Sequence, residues 1–98
     1  MLSKYEVLNI LKKFKIERGS LFHVDKLGLF GSVARNEHDE SSDVDVFMTY
    51  TEPLDYFQLG TMKKELETIL NCKVDLVTLH ENLLKSFVNN LKKDAIYV

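Results

Sequence analysis

Leu29-Phe30-Gly31-Ser32-Val33-Ala34-Arg35-Asn36-Glu37 and, a few residues on, Ser42-Asp43-Val44-Asp45-Val46 form the stretch on which the fold of this chain turns. A candidate strand from Lys26 to Phe30 stops at Gly31, and Ser32 to Arg35 is compatible with a single helical turn. From Asp43 to Tyr50, Val44, Val46 and Met48 alternate with Asp43, Asp45 and Phe47, the period-two pattern of a strand with one apolar face. The other face begins with two carboxylates. Eleven residues, 32 to 42, separate Gly31 from Asp43, too few for a comfortable parallel crossover, so the two strands are predicted to run antiparallel. Gly31-Ser32 then meets Asp43 and Asp45 at one end of a sheet.

Toward the N-terminus, Ser3-Lys4-Tyr5-Glu6 has the spacing of a capping box, so a helix begins there. Val7, Ile10, Leu11 and Phe14 fall on one stripe of it, Lys12, Lys13 and Lys15 lie largely outside that stripe, and Gly19-Ser20 ends the element. Toward the C-terminus, Pro53 suits a first helical turn, and Met62, Leu66, Ile69 and Leu70 recur at helical spacing up to Asn71, a plausible cap; this predicts a helix over about 53 to 70. Lys73 to Thr78 reads as a strand, and Leu84, Phe87, Val88 and Leu91 mark a last amphipathic helix before Ala95-Ile96-Tyr97-Val98. Two strands joined through a helix are most simply parallel neighbours with a right-handed crossover, which sets the strand at 73 beside the strand at 43. The expected fold is an α/β (α+β) domain over 1–98: a small mixed sheet of about three strands with helices packed on one face.

Length and composition limit the possible functions. Ninety-eight residues hold one core, and 45% hydrophobic with 29% charged residues is the composition of a globular domain, not of a disordered tail. A net charge of −2 supplies no broad basic field, so direct nucleic-acid binding is not expected; Lys12, Lys13, Lys15, Lys63, Lys64, Lys92 and Lys93 fall on separate helices amid acidic residues. Cys72 stands alone, which excludes an internal disulfide and suits a reducing compartment. The opening residues lack a signal-peptide pattern and no apolar run reaches membrane-span length, so a cytoplasmic protein is expected.

Three features carry chemistry. Gly31-Ser32 at a strand-to-helix turn lets backbone approach a ligand, and free amides at a helix start favour phosphate oxygens; taken alone, the pair also reads as an ordinary cap. Asp43 and Asp45 point to one side and would not both ionise comfortably without a cation between them, and oxygen-only ligands suit magnesium; taken alone, they also read as a solvated edge. Asp75 falls on the same side when Val74 and Leu76 face the core, where it can bridge an ion or take a proton from an attacking hydroxyl. Gly-Ser, ten residues, then Asp-x-Asp fixes four positions; at about 6% per residue type that is about 10^-3 for the chain by chance. His23, His38 and His80 show no zinc spacing, and Cys72 and Tyr5, Tyr50, Tyr56 and Tyr97 take structural readings.

The segment Leu29–Glu37 through Ser42–Val46 resembles the minimal nucleotidyltransferases of the DNA polymerase β superfamily, whose hallmark is G-S-x10-D-x-D, and the whole chain matches such a domain in length and element order. The resemblance implies transfer of a nucleoside monophosphate from a triphosphate to an acceptor hydroxyl, with magnesium, two ions by the usual scheme, and ATP as donor. It assigns Gly31 and Ser32 to the triphosphate-binding turn, Asp43 and Asp45 to metal binding, and Asp75 to the third carboxylate and general base. Arg35 matches the second arginine of the pattern, as a phosphate contact or as a partner of Glu37. Val33 and Asn36 depart from it, where Arg and Gly are common. Small domains of this kind resemble the antitoxin half of two-gene modules whose partner is an all-helical HEPN ribonuclease, inactivated by AMP attached to a tyrosine. The competing class is a non-catalytic module that neutralises the partner by masking it.

Overall fold

A computed structural model describes residues 2–91 and 94–98; Lys92, Lys93 and the side chain of Leu91, named above, lie outside the described set. The first helix, α1 (Lys4–Arg18), starts as its sequence dictates: Ser3 Oγ accepts from the Glu6 amide at 3.2 Å, and Glu6 Oε1 accepts from the Ser3 amide at 3.0 Å. A 3-10 turn (Gly19–Phe22) leads through His23, in the left-handed region at φ 55°, into β1 (Val24–Phe30). One helical turn, α2 (Gly31–Ala34), follows, then β2 (Val44–Tyr50), α3 (Tyr56–Leu70), β3 (Val74–Leu79), α4 (Glu81–Leu91) and β4 (Ile96–Tyr97).

The strands form one mixed sheet in the order β3-β2-β1-β4. As anticipated, β1 runs antiparallel to β2 and β3 parallel to it. The sheet has four strands where about three were expected. Ile96 and Tyr97 pair with Leu29 and Gly28, and two residues are too few to display a period. The α3 boundary also moves. Pro53 lies before the helix, and the start is set by a second capping box, in which Asp55 accepts from the Gln58 amide at 2.8 Å and Gln58 Oε1 from the Asp55 amide at 3.0 Å. Asn71 closes α3 in the left-handed region at φ 53°, donating to the Glu67 carbonyl.

Burial divides β2 by parity. Val44, Val46 and Met48 join Val7, Leu11 and Phe14 of α1 and Met62, Leu66 and Leu70 of α3 in the main core, so these two helices cover one face. Arg18 of α1 ties them at their rim by donating to both oxygens of Glu65 on α3, at 2.9 and 2.8 Å. The expectation that all helices share one face is corrected by α4. Phe47, of opposite parity, is fully buried under Phe87 of α4, with ring centres 5.6 Å apart, and Phe87 meets Phe30 edge-on at 5.3 Å. A large apolar ring on the second face has to be covered, and α4 covers it. Gly28 leaves room for that ring: a Cβ there would collide with the Phe47 ring and lie 2.7 Å from the Ile96 carbonyl.

Candidate active site

Strand register brings the predicted carboxylates side by side. Asp45 on β2 is the partner of Asp75 on the parallel strand β3 and, on its other side, of Phe30 on antiparallel β1. Residues that pair across a sheet share a face, so Asp45 and Asp75 stand in one row on the face opposite the main core. Asp43 immediately precedes β2, where the Val44 amide donates to the Lys73 carbonyl at 3.0 Å and so fixes the entry of β2 against that of β3. Asp43 and Asp75 are exposed and Asp45 is half-buried.

Gly31 sits directly beside this row. Its φ is +75°, and a Cβ built on it would fall on the Asp45 carboxylate. The glycine therefore does two things: it adopts a backbone conformation that L side chains avoid, and it gives the carboxylate its place. From Gly31 the chain turns at once into α2, where the Arg35 amide is bonded to the Gly31 carbonyl at 3.1 Å; amides earlier in a first helical turn have no partner within that turn. Asn36, where a glycine is common in the family resembled, lies in the left-handed region at φ 59° and closes the turn onto the Val33 carbonyl at 3.0 Å. Asn enters that region more readily than most side chains, so the turn survives the departure. Val33, the other departure, is fully buried in the core.

The electrostatics follow from this crowding. Partial burial pushes the Asp45 carboxyl above the usual carboxylate range, the charges of Asp75 and then Asp43 push it further, and the Arg35 guanidinium pulls the other way. Arg35 itself donates to Glu37 Oε2 at 3.1 Å and lies 3.5 Å from Asp94 Oδ2, while its charge still reaches Asp45. Among the described residues no group of three or more His, Cys, Asp or Glu is drawn together into a set that could hold a metal ion. Asp45 and Asp75 are neighbours by register, with Asp43 just before β2, and the three do not form a closed cage. Their chemistry nevertheless fits a hard divalent cation: every donor is oxygen, and Asp45 sits among like charges that a cation would offset.

Two residues that hold the row in place escaped the sequence reading. Asp39 accepts from the Ser41 amide at 2.8 Å and its hydroxyl at 2.7 Å, while Ser42 Oγ accepts from the Asp39 amide at 3.0 Å. These bonds hold the Asp39 carboxyl below the usual range and lock the turn that delivers Asp43. Glu67 of α3 accepts from the Val74 amide at 3.1 Å, one residue before Asp75. The Asp39-x-Ser41-Ser42 pattern was a readable turn signal; the reach of Glu67 was not, because it joins a helix face to a strand start.

Comparison with known proteins identifies the family of the chain. The nucleotidyltransferase domain family matches residues 8–98. Protein adenylyltransferase MntA of Thermococcus cleftensis is 32% identical over 98 residues, covering 100% of this chain and 98% of the relative. A Methanocaldococcus jannaschii protein with the provisional name protein adenylyltransferase MJ0126 is 35% identical over 96 residues, covering 95% of each chain. In fold, the chain is similar to a solved complex of tri-AMPylated Shewanella oneidensis HEPN toxin with MNT antitoxin, at a TM-score of 0.63 and 22% identity over 96% of this chain and 70% of that one.

Proposed function

Since the chain belongs to the nucleotidyltransferase domain family and has the fold of a minimal nucleotidyltransferase, we propose that it transfers AMP from ATP to a hydroxyl of a partner protein, as the antitoxin that adenylylates a HEPN-type ribonuclease. The observation that carries the reading is the row Asp45–Asp75, with Gly31 opening the space beside it. The names of the relatives support the donor and the acceptor class: several are protein adenylyltransferases, and one structural neighbour is a toxin–antitoxin complex with AMP-PNP.

In this scheme the amides at Gly31-Ser32 grip the triphosphate, and Arg35 exchanges a carboxylate partner for phosphate. Asp75 accepts the proton of the acceptor hydroxyl; the hydroxyl oxygen bonds to the α-phosphorus, the bond to the β-phosphate oxygen breaks, and pyrophosphate leaves. Asp43, Asp45 and Asp75 would hold Mg2+, which supplies charge neutralisation at the attacking and leaving oxygens. Phe30, the strand partner of Asp45, and Phe87 pack edge-on at the side of the site away from β3. Among the described residues no helix is long and apolar enough to cross a membrane.

The test is incubation of the chain and its HEPN partner with α-labelled ATP and magnesium. Covalent label on the partner that vanishes with Asp43→Ala is the expected result. Tight association without label would establish masking as the mode of neutralisation and overturn the transfer reading.

A further inference from the structure

The two most exposed large apolar side chains of the described structure stand together at the start of α3, with Tyr56 93% and Phe57 88% accessible. Soluble chains rarely leave two adjacent rings in water without a use for them. One turn further along the same helix is Gly60, which is exposed, and a Cβ added there would meet nothing within 4 Å. Glycine is the poorest helix former after proline, and here neither a positive φ nor a packed neighbour among the described residues requires it. One turn beyond come Lys63 and Lys64, both exposed.

At 100° per residue these five positions share one face, roughly opposite Met62 and Leu66, which are buried in the core. The order along that face is two rings, a bare backbone position and two ammonium groups. We propose that this face is a self-association surface: a second copy of the chain lies antiparallel across α3, and the two helices cross at Gly60.

The pattern itself selects the occupant. An antiparallel two-fold about residue 60 sets position 60−k of one copy opposite 60+k of the other. Tyr56 and Phe57 of each copy then meet Lys64 and Lys63 of the other, so that ammonium groups lie on aromatic faces in two symmetric sets. The missing side chains at Gly60 let the backbones approach closely enough for those contacts to form. A parallel arrangement would set rings against rings and place four ammonium groups together. The surface is also compatible with catalysis, because α3 covers the core face of the sheet while Asp45 and Asp75 lie on the other. A single helix pair buries little area, so the dimer is weak and forms at micromolar to millimolar concentration.

Sedimentation velocity on the whole chain, over a dilution series from roughly 10 µM to 1 mM, tests this. The expected result is a monomer–dimer equilibrium. Gly60→Arg, which improves helix propensity and so keeps the fold, should abolish it, with circular dichroism and the thermal midpoint checking that the variant is folded. The pair Lys63→Glu and Lys64→Glu should weaken association at least about tenfold by removing the cations from the rings. A chain that stays monomeric throughout the series, including one whose α3 face takes up a different protein instead, overturns the proposal. So does association that Gly60→Arg leaves unchanged.

Discussion

The side chain that Gly31 lacks is the space that Asp45 occupies: a methyl group on the glycine and the carboxylate of the aspartate cannot both be there. Two positions that look in sequence like separate parts, a phosphate turn and a metal ligand, are thus one steric unit.

Gly31→Ala should therefore damage fold and activity together. The substitution forces an L side chain to φ +75° and overpacks it against Asp45, at a combined cost of about 2 to 5 kcal/mol. Urea unfolding should show the loss, and AMP transfer should fall even at temperatures where the variant is folded. Transfer at the wild-type rate by the folded variant would contradict the arrangement.

Gly28→Ala provides a contrast. It strikes the Phe47 ring and the Ile96 carbonyl rather than a carboxylate, and should cost about 1 to 3 kcal/mol by overpacking. Here the transfer rate per folded molecule should be largely retained, so the stability and activity assays should diverge where for Gly31→Ala they agree.

The raised Asp45 carboxyl gives stability a definite pH dependence. The folded chain holds this proton more tightly than the unfolded chain, so the contribution of Asp45 is most favourable below the unfolded carboxylate value, about 3.9, and is lost as pH rises through the raised folded value. Asp45→Asn should therefore be more resistant to urea than wild type at pH 7 while inactive in transfer. The gain should shrink toward zero near pH 4, and a difference that is constant with pH would rule out this origin.

Asp39→Ala should act on chemistry more than on nucleotide binding, because the Asp39 carboxylate bonds to Ser41 and so shapes the turn that delivers Asp43. A fall in kcat on the order of 10- to 100-fold with a near-normal KM for ATP is expected. Asp39→Asn keeps an acceptor oxygen and should recover much of the rate; steady-state kinetics on the three proteins decides.

Much of this organisation was legible in advance, for identifiable physical reasons. The Ser3–Glu6 box, the alternation of β2 and the Asn71 cap are local patterns whose physics is complete within a few residues, and the relative directions of β1, β2 and β3 followed from connection lengths. What escaped depends on contacts between distant segments. β4 exists only by pairing with β1, and Phe47 determines the side that α4 covers only once Phe87 is packed on it. At the α3 start, Pro53 and Asp55 are both valid helix-start signals, and the reciprocal bonds to Gln58 decide between them. In the candidate site the row of aspartates was readable from parity, whereas the steric pairing of Gly31 with Asp45 was not, since spacing carries no information on which side chain leans over which backbone.

Asp75 lies on β3, the outermost strand of the sheet on that side, while Asp45 lies one strand in and Phe30 two. Cofactor and acceptor would then come from different directions, the small molecule settling inward and the recipient arriving from the rim. Under the proposed transfer, a recipient approaching from this outermost strand need not be threaded between strands, so a whole folded protein can offer a single hydroxyl there.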